Sequence, residues 1–213
     1  MSEFDLINRF FKPEAVHRDD VTLGIGDDCA ILDIPHGKQL CVSTDTLIAG
    51  VHFPDSTSAR DIGHKALAVN LSDLAAMGAE PTWVSLALTL PEHNANWLED
   101  FMYGFNELAA RYKVSLIGGD TTRGHLTITV QVFGLIDEGQ AMRRDRARTN
   151  QLIYVTGTLG DAGLGLKKVM GQIHEPSLDY CIHRLNHPEP RIDIARELVN
   201  YSDCAIDISD GLL

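Results

Sequence analysis

The sequence predicts an α/β or α+β protein, and three observations carry the prediction. Short segments of alternating polarity interleave with segments of helical period. Glycines gather at the junctions between those segments. The 213 residues are 44% hydrophobic and 23% charged, the make-up of a packed chain of one to two domains.

Each element has its own signal. From Phe4 to Phe11 the period is helical, and Gln39 to Thr46 reads as a strand whose polar end emerges at Ser43. The best-defined element is a long helix from Ser58 to Met77. Ser58 is its candidate N-cap, Ile62, Ala66, Val69 and Leu74 form an apolar face, Gly78 follows as C′, and Pro81 stands beyond. Thr82 to Leu90 alternates Trp83, Ser85, Ala87 and Thr89 against Val84, Leu86, Leu88 and Leu90, a strand whose apolar face should pack on that helix. A second helix runs from about Trp97 to Tyr112, a short strand Val114 to Ile117 leads into Gly118-Gly119-Asp120, and Leu126 to Ile136 supplies another strand.

The charged stretch Asp137 to Asn150 reads as a linker. Beyond it the pattern predicts a strand over Gln151 to Thr156, a glycine-containing helix over Leu159 to Gly171, a helix over Arg191 to Asn200 and a strand over Ala205 to Ile208. Ser209-Asp210-Gly211 then resembles a helix start with few residues left to build the helix. The resulting division is a domain over 1–138, a linker over 139–150 and an incomplete second domain over 151–213.

Thirty Asp and Glu against eighteen Lys and Arg leave a net charge of −12. That excess argues against nucleic acid or an anionic membrane held by basic patches, and no apolar run approaches the roughly 20 residues of a membrane span. A phosphate-bearing ligand would need metal ions between itself and such a protein. Cys29, Cys41, Cys181 and Cys204 show no Cys-x-x-Cys spacing, so a reducing compartment and a cytoplasmic location are expected.

Carboxylates and glycines fall where elements end: Gly24 to Asp28, Ser43 to Asp45, Gly118 to Asp120 and Asp207 to Gly211. Asn70 and Asp73, three apart in the long helix, share a face. Clustered carboxylates repel one another unless hard cations sit between them, and magnesium prefers such oxygen ligands together with substrate phosphates. Each segment alone also has a plainer reading: Asp27-Asp28 as a solvated turn, Gly118-Gly119-Asp120 as a tight turn, Arg143, Arg144, Arg146 and Arg148 as a solvated linker rather than a phosphate clamp. No Walker-A sequence is present, and Gly-Ile-Gly-Asp-Asp lacks the third glycine of a dinucleotide fingerprint.

Taken together and in order, these segments resemble the thiamine-monophosphate kinase family of the aminoimidazole-ribonucleotide synthetase superfamily. The resemblance rests on Gly24-Ile-Gly-Asp-Asp-Cys-Ala30, Ser43-Thr-Asp-Thr46, Lys65-Ala-Leu-Ala-Val-Asn-Leu-Ser-Asp-Leu-Ala-Ala-Met-Gly-Ala-Glu-Pro81, Gly118-Gly-Asp-Thr-Thr-Arg123 and Asp207-Ile-Ser-Asp-Gly-Leu212. It implies an N-terminal mixed-sheet domain, the start of a C-terminal α/β sandwich domain, and a homodimer. It further implies Mg-assisted transfer of the ATP γ-phosphoryl group to thiamine monophosphate, with several Mg2+ ions and no general base.

Carried over by position, Asp28, Ser43, Thr44, Asp45, Asp73, Asp120, Asp207 and Asp210 match metal positions, with Asp27 auxiliary. His52 matches a substrate contact, and Tyr103, Gly119, Asp120, Arg144 and Ser209 match ATP contacts. The family usually follows the linker arginine with a Gly-Ala-Lys-Pro-Gly-Asp-like turn, where this chain has Asp145-Arg-Ala-Arg-Thr-Asn-Gln151. Family members also continue for roughly another hundred residues, a second domain of ordinary size, so truncation within that domain is expected. The alternatives are a superfamily synthetase with another acceptor, or a dimerising metal- or nucleotide-binding fragment without turnover.

Overall fold

The computed structural model describes residues 7–12, 16–209 and 211. Its centre is a four-stranded sheet built from β3 (Lys38–Ile48), β4 (Glu80–Leu90), β5 (Ser115–Arg123) and β6 (Thr127–Asp137), ordered β3-β6-β4-β5. β6 runs antiparallel to both of its neighbours, and β4 and β5 are parallel. The sheet is therefore mixed, as the resemblance implied.

Two helices cover one face, α1 (Ala59–Met77) and α2 (Ala95–Tyr112). The ends of α1 are those the sequence predicts. Ser58 Oγ accepts the Asp61 N–H at 3.2 Å, and Gly78, at φ 73°, closes the other end by donating its N–H to the carbonyls of Leu74 and Ala75. Asn94 caps α2 in the same way, its side chain accepting the Trp97 N–H at 3.1 Å. Between helices and sheet lies the main core, where Ile62, Ala66 and Leu74 of α1 meet Val84, Leu86, Leu88 and Leu90 of β4. The apolar face of the alternating strand thus packs as predicted.

A short hairpin, β1 (Val21–Leu23) with β2 (Ile31–Leu32), covers one end of the other sheet face. Trp83, grouped by alternation with polar residues, is buried there with Ile117 and Leu135, and its indole N–H donates to Asp20 at 3.0 Å. The hairpin leaves Leu40 and Val42 of β3 exposed on that face.

Four expectations change. β5 does not stop at Ile117 but runs through Gly118-Gly119-Asp120 to Arg123, because β4 offers it a full parallel partner past an irregularity near Ser85. The segments 151–156 and 205–208 form no strand, for a strand needs a neighbour's hydrogen bonds and among the described residues no strand pairs with them; Ile153 is 90% exposed. Helices instead dominate this region: α3 (Asp161–Val169), α4 (Asp179–Asn186), which the sequence pattern did not reveal, and α5 (Ile192–Leu198). Of the N-terminal helix, residues 1–6 lie outside the described residues, and Ile7–Phe11 form a π-helical turn whose Phe10 and Phe11 are buried.

The stretch 139–150, expected to be a linker, is tied to the fold by backbone hydrogen bonds at Met142 and Arg143. Met142 is fully buried and donates its N–H to Met77 O at 3.0 Å, while Arg143 donates its N–H to Asp203 O at 2.9 Å. Ile192 and Ala195 of α5 join the main core, so the region after residue 150 packs directly on α1.

Candidate metal and phosphate site

β3 is an edge strand, and alternation turns Ser43 and Asp45 toward α1 and Thr44 away. Ser43 Oγ donates to Asp73 Oδ2 at 2.5 Å. One residue pair along, the Asp45 N–H donates to Asn70 Oδ1 at 3.0 Å, and Asn70 Nδ2 donates to Ala66 O at 2.9 Å. Asn70 is fully buried, so both ends of its amide are satisfied where water cannot reach. The helical spacing of Asn70 and Asp73 thus meets the strand spacing of Asp45 and Ser43.

Asp207 completes the group from the far end of the chain, within hydrogen-bonding reach of Asp73. Its carboxyl is held above the ordinary range, first by burial and then by the charges of Asp73 and Asp45, with a backbone hydrogen bond pulling the other way.

The donor set is hard oxygen throughout: three carboxylates and a hydroxyl. Among the described residues no three acidic, histidine or cysteine side chains are placed to hold a metal ion by themselves. Magnesium keeps several waters and takes one or two carboxylates together with substrate phosphates. Asp45, Asp73 and Asp207 are the carboxylates that would offer oxygen to such an ion.

Other sequence-predicted residues stand apart from this group. Asp27 and Asp28 are exposed in the loop between β1 and β2, where Asp27 Oδ1 accepts the Asp28 N–H at 2.8 Å. Thr44 faces the opposite side of the sheet, its hydroxyl accepting from Gln131 Nε2 at 3.0 Å. Gly119 stands in the same cross-strand row as Asp45, through Val130 and Leu86. Three strand spacings put it about 14 Å away, at the opposite edge, with exposed Asp120 beside it. A Cβ on Gly119 would lie 1.9 Å from Leu86 O, so this glycine lets β5 approach β4.

His52 lies in the turn after β3, its Nδ1 accepting the Ile48 N–H at 3.0 Å, which leaves the ring hydrogen on exposed Nε2. Tyr103 lies on the outer surface of α2 under the Arg60 guanidinium, 4.4 Å from its ring centroid. Arg144 is exposed, and its carbonyl accepts from Cys204 Sγ at 3.8 Å, so the linker runs beside the segment leading to Asp207. Ser209 is exposed two residues beyond Asp207, and Asp210 lies outside the described residues.

A second polar cluster, which the sequence reading passed over, joins α1 to α4 and the turn after it. His187 Nε2 and Asp61 Oδ1 are 2.6 Å apart, and the His187 ring lies 4.5 Å from that of His64 and 4.8 Å from that of His183. Burial, then the neighbouring His187, pushes the His64 imidazole below its ordinary range. Lys65, 5% exposed, is pushed down by burial to about 8. Only the pairings 61/64/65 and 183/187, at helical spacing, hinted at this in sequence.

Residues 26–136, more than half of the chain, match the AIR synthase related protein, N-terminal domain, and that match places the chain in this class. Over 99% of its length it is 48% identical to thiamine-monophosphate kinase of Escherichia coli strain K12. Thiamine-monophosphate kinase from Stenotrophomonas maltophilia K279a superposes with a TM-score of 0.90 at 47% identity, covering 100% of this chain and 69% of that one. AaThiL complexed with AMPPCP and TMP superposes with a TM-score of 0.78 at 35% identity, covering 88% of this chain and 61% of that one. The chain belongs to the thiamine-monophosphate kinase family, and it spans 66% of the length of the E. coli relative.

Proposed function

We propose that the chain carries the phosphoryl-transfer site of an ATP-dependent thiamine-monophosphate kinase, and the convergence of Asp45, Asp73 and Asp207 carries the reading. An oxygen of the thiamine monophosphate phosphate attacks the ATP γ-phosphorus. The bond from that phosphorus to the β–γ bridging oxygen breaks, giving thiamine diphosphate and ADP. The acceptor is already anionic, so no general base is required, and the obstacle is bringing two polyanions into line. Bound magnesium supplies the positive charge that screens them and stabilises the transferring group.

The protein's part is to hold oxygen ligands in fixed relation. Asp45, Asp73 and Asp207 form the centre of the set, with Ser43 orienting Asp73. Asp28, Thr44 through its carbonyl, Asp120 and Asp210 extend it toward further Mg2+ ions. His52 offers its exposed Nε2–H to the acceptor substrate. Tyr103, Gly119, Arg144 and Ser209 contact ATP. Two copies pair through the sheet face on which Leu40 and Val42 are exposed, forming a homodimer. The AaThiL complex with AMPPCP and TMP supports both substrates. A small-molecule kinase drawing on ATP works in the cytoplasm.

Phosphorus NMR on the 213-residue chain with ATP, magnesium and thiamine monophosphate tests the reading. A diphosphate ester should form only when acceptor and metal are both present. ADP released equally without acceptor, or full turnover in chelator, would overturn it.

A further inference from the structure

We infer that Asn70 is a positioning residue for the metal carboxylates, clamping the Asp45 backbone to α1 and thereby fixing Asp45 against Asp73. The inference rests on the metal reading above. A fully buried amide is costly unless both of its ends are paired, and an apolar side chain of similar volume would fill the same space without that demand. Asn70 meets the demand with two bonds, one back to its own helix at Ala66 O and one across to the Asp45 N–H.

The second bond answers a need specific to β3. An edge strand leaves alternate N–H groups without a ladder partner, and the Asp45 N–H finds its acceptor in Asn70 instead. Ser43 and Asp45 therefore tie β3 to α1 at two points, through Asp73 and Asn70. Two ties fix an orientation where one would leave a pivot. Of the two, only the Asn70 tie uses no metal carboxylate oxygen, so it alone persists unchanged when an ion engages Asp73.

The test uses Mn2+ as the probe, titrated into the 213-residue chain and followed by the loss of the free-ion EPR signal. Asn70→Leu keeps the branched heavy-atom shape and removes the acceptor, and Asn70→Ser, which is smaller, serves if the first variant folds poorly. Leu71→Ala, a cavity in the same turn, is the stability control. Loss of an outer partner of a metal ligand typically weakens binding 10- to 100-fold. The Asn70 variants should therefore bind Mn2+ about tenfold or more weakly, while Leu71→Ala lowers the melting temperature and leaves the affinity within about twofold. Asn70 variants that bind like the parent chain, or a Leu71→Ala variant weakened equally, would overturn the inference alone. A parent chain that binds no Mn2+ would overturn the metal reading with it.

Discussion

Lys65 offers the sharpest quantitative test. It sits on α1, 5% exposed, one turn beyond Asp61, whose carboxylate is already engaged by His187. Burial lowers its pKa from 10.5 to about 8. At about 1.4 kcal/mol per pH unit, that is a penalty of about 3 kcal/mol on the folded protein while the ammonium is charged. Below about pH 8 the penalty is complete. Between about 8 and 10.5 the folded protein releases this proton while the unfolded chain still holds it, so stability rises with pH. Lys65→Met keeps the apolar stem and removes the charge. Urea unfolding at several pH values should find the variant more stable by about 2–3 kcal/mol at pH 7, the margin closing toward pH 10.5. A variant less stable at pH 7, or a margin that does not change with pH, would refute the reasoning.

Two further predictions concern the site and its frame. Asp207→Asn removes one of three mutually repelling carboxylates, so the metal-free chain should melt at a higher temperature at pH 7 yet lose its stabilisation by added Mg2+, read by thermal denaturation with and without the ion. Gly119→Ala drives a Cβ into Leu86 O and should cost about 1–3 kcal/mol or more as β5 shifts from β4, visible as a lower urea midpoint with an unchanged slope.

Local rules sufficed where an element's signals lie within its own residues. The long helix begins at its Ser58 cap and ends at Gly78 because capping and left-handed closure are short-range. They failed where the deciding partner is remote. Gly118-Gly119-Asp120 looks like a turn until β4 supplies a parallel neighbour, and Gln151 to Thr156 looks like a strand, yet no strand among the described residues pairs with it. Alternation groups Trp83 with polar residues because it does not disclose that a hairpin folds over that face.

The sequence by itself determined the family, the acidic character, the helix on which Asn70 and Asp73 share a face, and the oxygen-rich chemistry of Ser43, Asp45, Asp73 and Asp207. Residue type and short-range spacing carry that information. Only the tertiary structure decided which of those carboxylates meet. It set Asp207 against Asp73 and Asp45, kept Asp120 at the far edge of the sheet, and turned Thr44 to the opposite face. Strand order, and the docking of α5 and Asp207 on α1, are settled by burial and hydrogen-bond satisfaction over the whole molecule, and no local window contains them.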